Sequence, residues 1–222
     1  MAAADASLVD YYRASAPHFD GVYAKPERQD DLRELEAMVG AEFAGRRVLE
    51  VACGTGYWTR FIATSALDVI CVDAAPEMLA QARRRISARN VRFVDGDAYA
   101  LSPDLGNFDG AFAGFFLSHV PKAKLRPFVA QLNGRLAAGA RVLLIDNRFV
   151  DGSSSPIDHV DAAGDSFQER HLADGTAHQV RKNFLDEAEL RSCVEGLATG
   201  VDYRAFRHYW ALRYAVPQRR RG

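Results

Sequence analysis

Residues 46–59 read RRVLEVACGTGYWT, and the order of residue types within them decides the fold. Val48, Leu49 and Val51 form a short apolar run of strand-favouring residues. Five small or polar positions follow without a gap, Ala52-Cys53-Gly54-Thr55-Gly56, and then a helical segment in which Trp58, Phe61 and Ile62 face back to the sheet. Strand, glycine turn and helix in that order make a nucleotide-binding corner. Glycine lets the backbone approach a ligand, and a new helix aims unpaired N–H groups at it.

A dinucleotide site requires G-x-G-x-x-G, with the second glycine against a pyrophosphate. This chain has Ala52, Gly54 and Gly56, with Thr at position 59. Glu50, at the strand end, would oppose a pyrophosphate and suits a ligand with an ammonium group. S-adenosylmethionine (SAM) is such a ligand, with an α-amino group, a ribose diol and a sulfonium in place of phosphates. The run E-V-A-C-G-T-G resembles motif I of the class I SAM-dependent methyltransferases, E/D-x-G-x-G-x-G, with Ala52 in place of the first glycine. The resemblance implies SAM as donor, S-adenosylhomocysteine (SAH) as product, and cofactor contacts from Glu50, Ala52, Cys53, Gly54, Gly56 and Trp58.

The downstream spacing agrees. Leu67 to Asp73 is a second apolar strand ending in a carboxylate. Asp73 stands where a strand-ending acid reaches a ribose diol, or else it caps the helix that Pro76 and Glu77 open. Ala74 leaves room for adenine, and Met78 follows on that helix, expected from Pro76 to about residue 89. Its Arg83-Arg84-Arg85 run reads as a solvated face. A third strand at 91–94 leads into Asp95-Gly96-Asp97-Ala98. In the resembling family this corner sets Asp97 on the adenine amino group and the Ala98 amide on the ring; otherwise Asp97 shapes a turn.

A fourth strand, 109–114, runs into Phe115-Phe116-Leu117-Ser118-His119-Val120-Pro121, similar to the family's segment ending H-H-I/V-P. Phe115 is expected on the cofactor and Phe116 on the acceptor. His119 is the histidine that topology brings near the methyl donor, either as a general base or as a packed and capped residue. Ahead of the first strand, Tyr12, Ala16, Phe19 and Asp20 match the Y-x-x-x-A-x-x-Y/F-D pattern with which many small-molecule methyltransferases begin. These aromatics either form a lid that excludes water and faces the sulfonium, or glue a helix to the domain. The candidate catalytic residues are thus His119 and Tyr12, Tyr12 also touching cofactor. Phe19, Tyr23, Phe116, His119 and Arg148 are the candidate acceptor-binding set, favouring a small flat or apolar acceptor whose reacting atom (O, N, S or C) stays open.

The expected fold is therefore α/β, Rossmann-like, with a seven-stranded, mostly parallel sheet in the order 3-2-1-4-5-7-6. Within one domain, residues 1–45 form an N-terminal lid and helices and 46–149 the SAM-binding core. Residues 150–182 are an inserted hairpin, roofing the acceptor or meeting a second subunit, and 183–222 a helix and strand pair. Leu125, Phe128, Val129, Leu132 and Leu136 make an amphipathic stripe that Gly139 would stop before strand 141–146. His171 and His178 are expected to face solvent, and QRRRG at 218–222 to be an irregular tail. A net charge of −1 supplies no field for nucleic acid or an anionic membrane. Three unpaired cysteines, no leader-like start and no spanning apolar run point to a reduced, cytoplasmic setting without a zinc site. A monomer or homodimer acting on a small molecule is expected. A protein or RNA methyltransferase, or a SAM binder without turnover, is the competing reading.

Overall fold

The computed structural model describes residues 6–218; of the tail, only Gln218 falls among them. Five parallel strands form the middle and one side of the main sheet: β1 Arg47–Val51, β2 Asp68–Asp73, β3 Val91–Asp95, β4 Phe108–Gly114 and β5 Leu136–Asn147. β1 and β4 are buried on both faces, which is why they read as apolar runs and not as alternation. The full order is β3-β2-β1-β4-β5-β10-β9, with β9 Thr199–Ala205 and β10 Tyr209–Ala215. β10 lies antiparallel to both its neighbours. This is the order expected, the last strand in sequence standing inside the one before it.

Helices cover both faces. On one side α2 (Gln29–Glu42) buries Leu32, Leu35 and Val39 with Phe43 and with Ile62 of α3 (Thr59–Ile62). On the other, α5 (Leu125–Asn133) and α6 (Glu187–Val194) bury Phe128, Val129, Leu132 and Leu190. Gly110 on β4 has a steric reason: a Cβ there would sit 2.9 Å from the Phe43 ring. α4, Pro76–Arg85, packs on β2 and β3, and α1, Ala6–Ser15, lies across the carboxyl edge. No described helix is long and apolar enough to cross a membrane.

Three details depart from the periodicity. The apolar stripe at 125–136 is not one helix, because α5 ends at Asn133 and Leu136 already pairs with Phe108 in β5. Gly139, at φ +78°, sits inside that strand near a register shift and stops no helix. α4 ends at Arg85, and α3 is a single turn.

The inserted region is a three-stranded antiparallel sheet, β6 His159–Val160, β7 Ser166–His171 and β8 Ala177–Arg181. β8 packs against α1 and against the turn at 117–119 that follows β4. The insertion thus closes over the same carboxyl edge as the lid.

Candidate active site

A cavity of about 320 Å³ opens at the carboxyl ends of β1, β2 and β4, where the winding of the sheet reverses. Two carboxylates mark one end. Asp73 Oδ2 accepts from the Gly54 amide at 2.7 Å and Oδ1 from the Ala75 amide at 2.9 Å. It is both the turn former and a cavity-lining acid, each oxygen keeping a lone pair for a ligand. Burial pushes its carboxyl above the ordinary range, and the backbone amides oppose this. Ala74, Met78, Asp97 and Ala98 line the same end, Asp97 Oδ1 accepting from the Tyr99 amide at 2.8 Å.

The middle of the cavity is aromatic. Tyr23 stacks on Tyr57 at 3.5 Å and on Phe115 at 5.7 Å, Phe115 stacks on Tyr209 at 5.3 Å, and Trp58 stands edge-on to Phe115. Phe19, Tyr23, Trp58 and Phe115 line the cavity beside Ala52, Cys53 and Gly54. Trp58 Nε1 is buried with no hydrogen-bond partner, a donor left over for a ligand. Ala52 (φ +53°) and Phe115 (φ +60°) are the two non-glycine left-handed residues among those described, one after β1 and one after β4. Backbone strain is therefore concentrated on the two loops that face each other across the pocket.

Two expected cofactor residues do not reach the cavity. Glu50 is 1% exposed and turned into the sheet, where its Oε2 accepts from Thr59 Oγ1 at 2.7 Å and lies 3.4 Å from Cys71 Sγ. Burial raises its carboxyl to about 7. Gly56 is also behind the wall: at φ +76°, a Cβ there would meet Ala82 of α4 at 3.2 Å. The spacing placed both residues in the turn but could not say which side of it they face.

The far end is built by the lid. In Y-x-x-x-A-x-x-F-D, Ala16 packs against Ala75 and Met78, with Tyr12 and Phe19 flanking it. Asp20 accepts from Thr55 Oγ1 at 2.6 Å and pairs with Arg85. Arg85 also donates to the Thr55 carbonyl at 3.0 Å, so the arginine read as a solvated face in fact fastens lid to glycine turn. Tyr12 and His119 both line the cavity, Tyr12 Oη 2.7 Å from His119 Nε2. His119 Nδ1 lies 2.6 Å from the Arg181 carbonyl, which can only accept. The imidazole proton therefore sits on Nδ1, and Nε2 accepts from the tyrosine. Burial, with Lys182 close by, drives His119 down to about 3, so the ring is neutral.

Lys182 is buried beneath this pair, donating to Ser118 Oγ at 2.7 Å and to Asp146 Oδ1 at 3.1 Å. Burial pushes the Asp146 carboxyl up, but Lys182, His119 and the amides of Ser118 and Asn147 together hold it below the ordinary range.

Phe116 lines the cavity; Arg148 does not. Arg148 points to the rear of β5, where it donates to the Phe206 carbonyl. His178 is half-buried with its ring 5.6 Å from that of Tyr11, whereas His171 is exposed. Sequence reasoning missed Leu8, Val9, Tyr99, Lys124 and Arg181, all of which line the cavity. Leu8 and Val9 precede Tyr12 on α1, and helical spacing from it was the available signal.

The reversal of winding, the acid-ended β2 and the β10–β9 pair define an α/β domain of the methyltransferase type. A model of a methyltransferase domain matches residues 48–139. The demethylmenaquinone methyltransferase of Thermus thermophilus is 35% identical over 137 residues, 59% of this chain and 61% of that protein. That of Shouchella clausii is 34% identical over 103 residues, 44% of this chain and 42% of that one. The chain thus spans only about half the length of these curated relatives. Over nearly its whole length it is similar to DhpI, solved as a complex with SAH. The TM-score is 0.78 at 27% identity, covering 96% of this chain and 97% of that one. DhpI is also solved as a SAM-HEP complex, with the same TM-score and identity. Residues 48–139 thus match a methyltransferase domain, and the chain has the Rossmann-like fold of the SAM-dependent methyltransferases.

Proposed function

We propose that the protein transfers the methyl group of SAM to a small-molecule acceptor and releases SAH. One observation carries this reading: a single cavity joins the acids Asp73 and Asp97, an aromatic middle, and the Tyr12–His119 pair. The residues present fit SAM. Asp73 keeps lone pairs for the ribose hydroxyls, and Asp97 with the Ala98 amide suits adenine. Trp58 Nε1 is an orphaned donor for the carboxylate of the methionine moiety. Phe19, Tyr23 and Phe115 offer ring faces to a sulfonium. When bound, SAM supplies a methyl group already activated on sulfur, so alignment and exclusion of water are what remain for the protein.

Each part of the chain then has a role. Asp73 and Asp97 hold the nucleoside, α1 and Phe19 cover it, and the hairpin roofs the acceptor. His119 orients Tyr12: because the tyrosine proton is given to Nε2, its oxygen presents only lone pairs to the cavity. The covered mouth favours a small acceptor over a polymer. The demethylmenaquinone methyltransferases point the same way, and the body of the acceptor would meet Phe116, Pro121 and the lid.

Calorimetry with SAM and SAH tests the reading directly, with one-to-one binding of both expected. Mass-spectrometric screening for products heavier by one methylene then identifies the acceptor. Lack of binding by both nucleosides would overturn it.

A further inference from the structure

Arg170 does not itself line the cavity but stands behind its far end, close enough for its charge to reach Tyr12 and His119. It pairs in register with His178 across β7 and β8, so the two side chains share one face of the hairpin. That face turns toward α1, since the His178 ring packs on Tyr11, the neighbour of Tyr12. Arg170 Nη2 donates to Gln168 Oε1 at 2.9 Å, and Gln168 is itself pinned to the Ser155 carbonyl. Arg170 Nε, however, is buried with no hydrogen-bond partner.

Acids in this neighbourhood are committed elsewhere. Asp146 is taken by Lys182 and the Ser118 amide, Glu27 by Ser153, and Asp165 by Arg181 and the Lys122 amide. Among the described residues no carboxylate pairs with Arg170. Its charge is felt at Tyr12, His119, Lys182 and Lys25, in each case favouring the less positive form. A partly buried guanidinium without a counter-ion is costly to keep. A bound sulfonium would add a second positive charge to the same end.

We propose that Arg170 anchors an acidic group of the acceptor, a carboxylate or a phosphoryl oxyanion, beside the Tyr12–His119 pair. The inference rests on the methyl-transfer reading and adds to it the chemical class of the acceptor. The planar guanidinium suits a two-pronged contact with either oxyanion, and the anion offsets both cations. A neutral counterpart such as the amide or ester leaves Arg170 unpaired and is discriminated against.

The test uses the full-length protein at constant ionic strength. SAH binding is measured first; its failure would strike the methyl-transfer reading. Inorganic phosphate and, separately, acetate are then titrated by calorimetry, with and without saturating SAH. Saturable binding of at least one is expected, weakened roughly 10-fold or more in Arg170→Gln and less in Arg170→Lys, as loss of a charge-assisted hydrogen bond requires. SAH affinity should stay within about twofold in both variants, since Arg170 lies off the nucleoside end. Phosphate alone would assign a phosphoryl group, and acetate alone a carboxylate. Binding that Arg170→Gln leaves unchanged, or no saturable binding of either anion, would overturn the assignment of Arg170 alone.

Discussion

Tyr12 Oη and His119 Nε2, 2.7 Å apart across 107 residues of sequence, join the lid to the loop after β4. A histidine whose free lone pair is already spent on a tyrosine, and which stays neutral down to about pH 3, is poorly placed to take a proton from an acceptor at neutral pH. We expect His119→Ala to weaken SAM binding about fivefold and to lower turnover with it, because the lid loses its clasp. The wild-type kcat should show no inflection between pH 5 and 8 from this residue. Turnover lost at unchanged SAM affinity would restore His119 as a base.

Asp73 serves the ligand and the glycine turn together. Asp73→Ala should weaken SAM by about tenfold or more, and Asp73→Asn, which keeps one acceptor oxygen, by less. Calorimetry of the folded variants decides. Equal affinity in all three proteins would remove the ribose assignment.

Glu50 and His119 give stability opposite dependences on pH. The folded pKa of Glu50 is raised from 4.5 to about 7, so its contribution is complete below about 4.5 and is lost as pH rises through 7. That of His119 is lowered from 6.5 to about 3, so its contribution is complete above 6.5 and falls as pH drops toward 3. Between 4.5 and 6.5 the two oppose each other. In Glu50→Gln only the histidine slope remains. The variant should gain on wild type by up to about 1.4 kcal/mol per pH unit across that window, by urea unfolding. A pH-independent difference would mean that Glu50 is ionised in the fold.

Ala52 occupies a left-handed conformation that glycine adopts freely. Ala52→Gly should raise stability by about 0.5–1 kcal/mol, some 1–4 °C in Tm for a domain of this size. A lower Tm would show that the methyl group packs better than the backbone suffers.

The sheet order was legible because it follows from which strands are apolar throughout and which end in an acid. That Asp73, Asp97 and the turn at 52–54 meet at one cavity was legible for the same reason: their spacing is fixed by one strand, one turn and the next strand. That Glu50 and Gly56 lie behind the cavity wall was not legible, because spacing locates a residue along the turn but not the face it presents. Arg148 was placed at the pocket by its position after β5, yet the strand carries its side chain to the rear. Arg85 escaped because its partner Asp20 lies 65 residues away on a surface that only folding brings together. The lid pattern was visible, but that Ala16 is the pivot packing on Ala75 and Met78 was not.

The inserted sheet has a consequence for how such an enzyme can diverge. Its last strand lends the Arg181 carbonyl that sets the imidazole tautomer, and the next residue, Lys182, plugs the floor beneath Ser118. Exchange of this segment for another would retune not only which molecule is admitted but also where protons rest at the reaction centre. New substrates and new proton placement would therefore arrive as one inherited package.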